Sequence, residues 1–198
     1  CYSTISGGYY NRIEVGGYQT IGGGCSNTIS GYYSDNPFGP YQYIYNTISG
    51  GYGNTISGYY VARYNTISGG YGNLASGQIS VVAGGYGNSA TGCRAATLGG
   101  QTNYAQGAWS TVGGGISNTA SGACSFVGGG NNNTASGYNS TISGGCGHCA
   151  TAGYTTVSGG YRNCATSQGA TVAGGVVNIA SGYRSFIGSG TTNTASGC

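Results

Sequence analysis

A period of 15 residues runs from Asn65 to Cys198 without a break, as eight full copies and one of 14. Such a chain is one small unit copied along a line, and only stacked copies bury a continuous core. Three further copies begin at Ser3, Gln19 and Asn46, which makes twelve rungs. Tyr18 reads as an extra residue after the first rung and Val61 to Tyr64 as an insert after the third. Ser34 to Tyr45, which holds Pro37 and Pro40, reads as an irregular insert. The organisation is one array over 1–198: rungs over 3–33, an insert over 34–45, a rung over 46–60 with its insert 61–64, and regular rungs over 65–198.

The rung from Ser110 to Cys124 numbers the positions one to fifteen. Position 3 is Ile or Val in eleven rungs, from Ile5 to Ile187, with Thr97 the exception. Flanked by Ser and Thr, it has the alternation of a strand with one buried face. Position 11 repeats the pattern, with Ile in the first three rungs and Ala in the other nine. Position 6 is Gly in all twelve rungs, and Gly at positions 5, 6 and 13 is expected to supply positive φ at corners. Position 9 is Asn in eleven rungs, His148 replacing it once. An inward-turned asparagine ladder follows, in which Asn73, Asn88, Asn103, Asn118, Asn133, Asn163, Asn178 and Asn193 bond the backbone or each other. With 45 Gly the chain cannot be helical, and it lacks the G-X-Y period of collagen. The expected fold is all-β, a parallel β-solenoid or β-roll of about twelve rungs.

The rungs Asn118-Thr-Ala-Ser-Gly-Ala-Cys-Ser-Phe-Val-Gly-Gly-Gly130 and Asn133-Thr-Ala-Ser-Gly-Tyr-Asn-Ser-Thr-Ile-Ser-Gly-Gly145 resemble the head repeats of trimeric autotransporter adhesins, the YadA-like head. That family alternates a Ser-Val-x-Gly segment with an Ala-x-Gly segment, and similar repeats occur in phage and virus fibres. The resemblance covers nearly the whole chain. It implies a left-handed parallel β-roll, a homotrimer, and a surface fibre that binds host or neighbouring-cell ligands. The chain departs from the family in its 15-residue period, where 14 is usual, and in its richness in Cys and Tyr.

Charged residues are 4% of the chain, against roughly 25% in ordinary domains. Glu14 and Asp35 are the only acids and His148 the only histidine, so paired acid–base groups are lacking and an enzyme is not expected. The five Arg are scattered, leaving no basic footprint for nucleic acid. No apolar run is long enough for a membrane span, and no cofactor is expected. No signal peptide or initiator Met is present, so the sequence reads as a processed product or a segment of a longer fibre.

Cys146-Gly-His-Cys149 has the C-x-x-C spacing of thiol–disulfide oxidoreductases, but it occupies positions 7 to 10 of a rung rather than a helix N-terminus. Cys146, His148, Cys149 and Cys164 include the ligand types of a zinc site, in irregular spacing. The plain structural reading is a disulfide between Cys149 and Cys164, which share position 10 of consecutive rungs. The even number of cysteines favours an oxidising, extracellular setting. Tyr gathers at positions 7, 14 and 15: Tyr52, Tyr71 and Tyr86 fall in one column, and Tyr32-Tyr33 and Tyr59-Tyr60 recur as pairs. With Trp109 and Phe126 they form a candidate aromatic contact surface, for packing between chains or for a host-surface protein or glycan. Thr-x-Ser at positions 10 and 12 is similar to the ladders of ice-binding solenoids, though position 10 is interrupted by Arg12, Leu74, Tyr104, Cys149, Cys164 and Ile179. The sequence therefore points to a non-enzymatic structural fibre, adhesin-like, assembling with itself as a homotrimer or homopolymer on a cell or virion surface. Ice binding is the alternative and thiol redox a remote one.

Overall fold

The computed structural model describes residues 2–14, 17–31, 44–58 and 63–197. Tyr32-Tyr33, Tyr59-Tyr60, Cys1, Cys198, most of the insert 34–45 and half of the insert 61–64 lie outside the described residues. Two parallel sheets of twelve short strands each face one another, one built from positions 2 and 3 and the other from positions 10 and 11. Neighbouring strands in each sheet come from consecutive rungs, in register: Thr111 pairs with Phe126, and Thr119 with Thr134. A third column of single bridges at position 7 runs from Tyr9 through Tyr52, Tyr71 and Tyr86 to Thr191. The fold is a β-solenoid of about twelve rungs. At about 4.8 Å per rung the stack is roughly 60 Å long.

Hydrophobic inward columns explain the strands. Position 3 (Ile21, Ile48, Val82, Val112, Val157) and position 11 (Ile29, Ile56, Ala90, Ala120, Ala165) are wholly buried. Ile at both positions in the early rungs gives way to Val or Ile opposite Ala later, with Thr97 the exception. Each rung binds the next through outward-stepping amides: Thr111 N to Ser125 O (3.0 Å), Gly113 N to Val127 O (2.8 Å), Ile116 N to Gly130 O (2.9 Å), Thr119 N to Asn133 O (2.8 Å) and Ser121 N to Ala135 O (2.9 Å).

Two amides per rung point the other way. Ser117 N donates to Gln101 O of the preceding rung (3.0 Å), and Cys124 N donates to Ala108 O (2.8 Å). These are positions 8 and 15, and both adopt left-handed backbone, with φ of 55° at Ser117 and 57° at Cys124. The left-handed residue swings its N–H back along the rod and turns the chain between sheets. Non-glycine residues hold most of these corners, including the β-branched Ile79, Thr102, Val177 and Thr192.

The glycine corners differ from expectation at two positions: position 6 has positive φ in all twelve rungs, but at position 5 Gly50, Gly129, Gly144, Gly159 and Gly174 do not, and position 13 departs altogether. Gly114 and Gly115, at positions 5 and 6, have φ of 156° and 85°. Position 13 does not need positive φ; its glycines are demanded by close approach. A Cβ on Gly122 would lie 2.1 Å from the Gly137 carbonyl oxygen. Where the column carries Ala152 and Ser167 those residues are half-buried, while Gly107, Gly122, Gly137 and Gly182 are buried. The Gly122 amide bonds Ala135 O at 3.2 Å, and this contact recurs at Gly77, Gly92, Gly107, Gly137 and Gly182.

Candidate interaction surface

Asparagine at position 9 ties three rungs at once. Asn118 Nδ2 donates to Gly114 O in its own rung and to Gly130 O in the next, each at 2.9 Å. Its Oδ1 accepts the backbone N–H of Asn133 at 3.0 Å, while its own N–H donates to Asn103 Oδ1 at 2.9 Å. Asn73, Asn88, Asn103, Asn133, Asn163 and Asn178 repeat both donated bonds, and all of them except Asn163 also donate their N–H to the Oδ1 of the preceding asparagine. Asn193, exposed in the last rung, donates from Nδ2 to Ser189 O at 3.3 Å, and its backbone N–H donates to Asn178 Oδ1 at 2.9 Å. The amide is the smallest side chain with one acceptor and two donors, and every one of these groups is used.

His148 keeps half of that pattern. Its N–H donates to Asn133 Oδ1 at 2.9 Å, and its Nδ1 accepts from Asn163 N at 3.0 Å. The ring is buried, and Nε2 has no hydrogen-bond partner. Accepting at Nδ1 requires the neutral ring with its proton on Nε2. Burial holds the imidazole pKa below its ordinary value, with the backbone of Asn163 and Gly160 pulling the other way.

Cys149 and Cys164 are paired strand residues and are joined as a disulfide, Cα to Cα 4.6 Å. Cys146 stands apart as a free thiol, as do Cys25, Cys93 and Cys124. The C-x-x-C pair is thus not brought together. Among the described residues no three His, Cys, Asp or Glu side chains gather into a set that would hold a metal.

The aromatic residues form two stacks. Tyr52, Tyr71 and Tyr86 lie face to face, with centroids 5.0 and 5.1 Å apart and planes within 7°. A second stack, missed from the sequence, joins Tyr2, Tyr18, Tyr45 and Tyr64, with centroid separations of 5.7, 4.9 and 5.5 Å. Tyr18 and Tyr45 read as an extra residue and the end of an insert, yet they are strand residues in register. The signal available was their shared place immediately before position 1 of successive rungs. Arginines cap further rings on these edges: Arg94 over Trp109, Arg162 over Tyr161 and Arg184 over Tyr183, at 5.5, 5.1 and 4.9 Å. Among the described residues the ion pair is Arg12 with Glu14.

The two sheets present different outer faces. On the second sheet, position 12 is Ser or Thr in ten rungs, from Ser30 to Ser196, with Glu14 and Gln106 the exceptions. Position 10 beside it carries the disulfide, Leu74, Tyr104 and Ile179 among its threonines. On the first sheet, position 2 is Thr in eight rungs, but Phe126 and Phe186 at that position and Leu98 at position 4 stand out, 41%, 65% and 55% exposed. Trp109 borders that face, 54% exposed. Compared with known proteins, the chain matches no family model and no curated protein.

Proposed function

We propose that this chain is a structural rod of a surface fibre, adhesin-like, which assembles with copies of itself as a homotrimer or longer homopolymer. The observation that carries the reading is the set of exposed aromatic and aliphatic side chains in register along the rod. Rings stacked at the rung spacing, together with Leu98, Phe126 and Phe186 on the first sheet and Trp109 at its border, leave more apolar surface in water than a monomer gains from. Very low charge acts in the same direction, since little electrostatic repulsion opposes contact between rods. The resemblance to YadA-like heads and to phage and virus fibres supports the same use, on a cell or virion surface. A host-surface protein or glycan is the external ligand class that the aromatic edges would suit, because rings offer rigid area at low entropic cost.

Light scattering and electron microscopy, with and without reductant, test the proposal. Trimers or filaments are the expected result, and a monomer at all concentrations would overturn it. A second reading, ice binding, draws on the in-register threonines Thr4, Thr20, Thr47 and Thr66 at position 2 of the first four rungs. Thermal hysteresis of a monomeric preparation would establish that reading, and its absence would remove it.

A further inference from the structure

One junction along the stack is built differently from its neighbours: the one between rung 140–154 and rung 155–169. On either side of it an asparagine at position 9 donates to the next rung's position-6 carbonyl, Asn133 to Gly145 O and Asn163 to Gly175 O, each at 2.9 Å. At this junction His148 holds the place. Its Nδ1 accepts from Asn163 N and its Nε2 has no partner, so Gly144 O and Gly160 O go without the side-chain donor. The rungs also stand further apart here. A Cβ built on the position-6 glycine would lie 2.1 Å from the next rung's carbonyl oxygen at Gly130 and at Gly160, but 2.7 Å at Gly145. Cys146 N reaches Gly160 O at 3.2 Å, where the same bond from Asn131 and from Tyr161 spans 2.9 and 3.0 Å. Cys149 N reaches Asn163 O at 3.1 Å, against 2.8 Å for both Thr134 and Cys164. Ala152 replaces the position-13 glycine and, among the described residues, lacks the amide bond to the next rung that Gly137 makes.

The Cys149–Cys164 disulfide spans this same junction and is the single cross-link among the described residues. We infer that the junction is a redox-gated opening point: the disulfide closes the rod where hydrogen bonding between rungs is thinnest, and reduction lets the rungs part there first. Each rung of a solenoid contacts only its neighbours, so the stack opens first at its weakest interface. Both cysteines are half-buried at position 10, on the outer side of the second sheet, where a small thiol can reach them. A dithiol supplies the two electrons and two protons: its own sulfurs join, the Cys149–Cys164 bond breaks, and two thiols remain. Oxidising surroundings keep the rod whole, and reducing ones divide the rungs up to Tyr154 from those beyond it. The inference does not depend on the assembly reading.

Amide hydrogen exchange on the full chain, with and without dithiothreitol, tests it. In the oxidised chain the N–H groups of Cys146, Cys149 and Thr151, which cross this junction, should exchange no faster than those of Ile116, Thr119 and Ser121, which cross another. Reduction should speed the first set about 100-fold, the factor that a cross-link closing a 15-residue loop supplies, and the second set less than about threefold. Replacing both partners, Cys149→Ser with Cys164→Ser, should give the reduced pattern without reductant. In reduced His148→Asn the excess of the first set over the second should shrink at least about tenfold, because the ladder's donors are restored. Equal acceleration of both sets, no acceleration of the first, or an excess that His148→Asn leaves unchanged overturns the inference. Should His148→Asn not fold, the oxidised and reduced wild-type patterns and the double serine variant decide it.

Discussion

Removing one ladder amide tests whether position 9 holds the rungs together. Asn118→Ala deletes two donated bonds, to Gly114 O and Gly130 O, and the acceptor for the Asn133 N–H. Gly130 O retains the Ile116 N–H at 2.9 Å, so that carbonyl is not orphaned. The Asn133 N–H is left buried without a partner, which costs about 1–3 kcal/mol, and the two donated bonds are worth about 1 kcal/mol each. The sum is about 3–5 kcal/mol. For a chain of this size each kcal/mol moves the melting temperature by about 2–4 °C, so the transition should fall by roughly 6–20 °C. Asn131→Ala is the control, because Asn131 is exposed at position 7 of the next rung. Thermal melts by circular dichroism report the global effect. Amide exchange should show the Asn133 N–H losing protection while amides several rungs away keep theirs, since each rung touches only its neighbours. A shift below about 2 °C, or one equal to that of Asn131→Ala, would show that the ladder is a passenger of the backbone bonding.

His148→Asn should restore the missing donor to the column and raise stability by about 1–2 kcal/mol, read from denaturant melts. In the wild-type chain the folded pKa of His148 lies below its unfolded value near 6.5, so the unfolded chain binds the proton more tightly. Its stabilising effect is complete above that pH and falls as the pH drops toward the folded pKa, by at most about 1.4 kcal/mol per pH unit; His148→Asn should flatten this slope. Cys149→Ser should lower stability by up to about 3 kcal/mol, the figure for a 15-residue loop, and reductant should match it in the wild type; identical melts with and without reductant would contradict the pairing. Val177→Gly should raise the melting temperature by a few degrees, because a β-branched residue in left-handed backbone costs about 1–2 kcal/mol. Gly122→Ala should destabilise by about 3 kcal/mol or more, measured the same way, as its methyl group meets the backbone of the next rung.

The inner columns were legible because the interior accepts few alternatives. Ile or Val at position 3, Asn at position 9 and Gly at position 6 repeat because each inward position meets the same neighbours in every rung. Those columns announced the strands, their register and the inward asparagines. Position 13 was read by residue type alone, and glycine answers equally to positive φ and to close approach, so the wrong cause was assigned. Positions 8 and 15 stayed hidden for the opposite reason. Their left-handed backbone is imposed by hydrogen bonding to the preceding rung, and Arg, Trp, Cys, Val and Thr all submit to it. No residue signature marks them. The stack of Tyr2, Tyr18, Tyr45 and Tyr64 was obscured because inserts shift its members in sequence without shifting them in space.

That contrast bears on function. A rung position that points inward is constrained by its neighbours above and below, whereas an outward position is constrained only by what touches the rod from outside. In solvent alone, outward columns would drift toward the Ser and Thr that position 12 keeps almost throughout. Leu98, Phe126 and Phe186 depart from that composition, and each shares its rung with Ala or Gly. A solenoid repeats any outward contact at the rung spacing, so contacts that are weak singly add along the length. A perfectly uniform face would add equally well at every one-rung slip. Sparse bulky residues, with one reversed in position, remove that degeneracy.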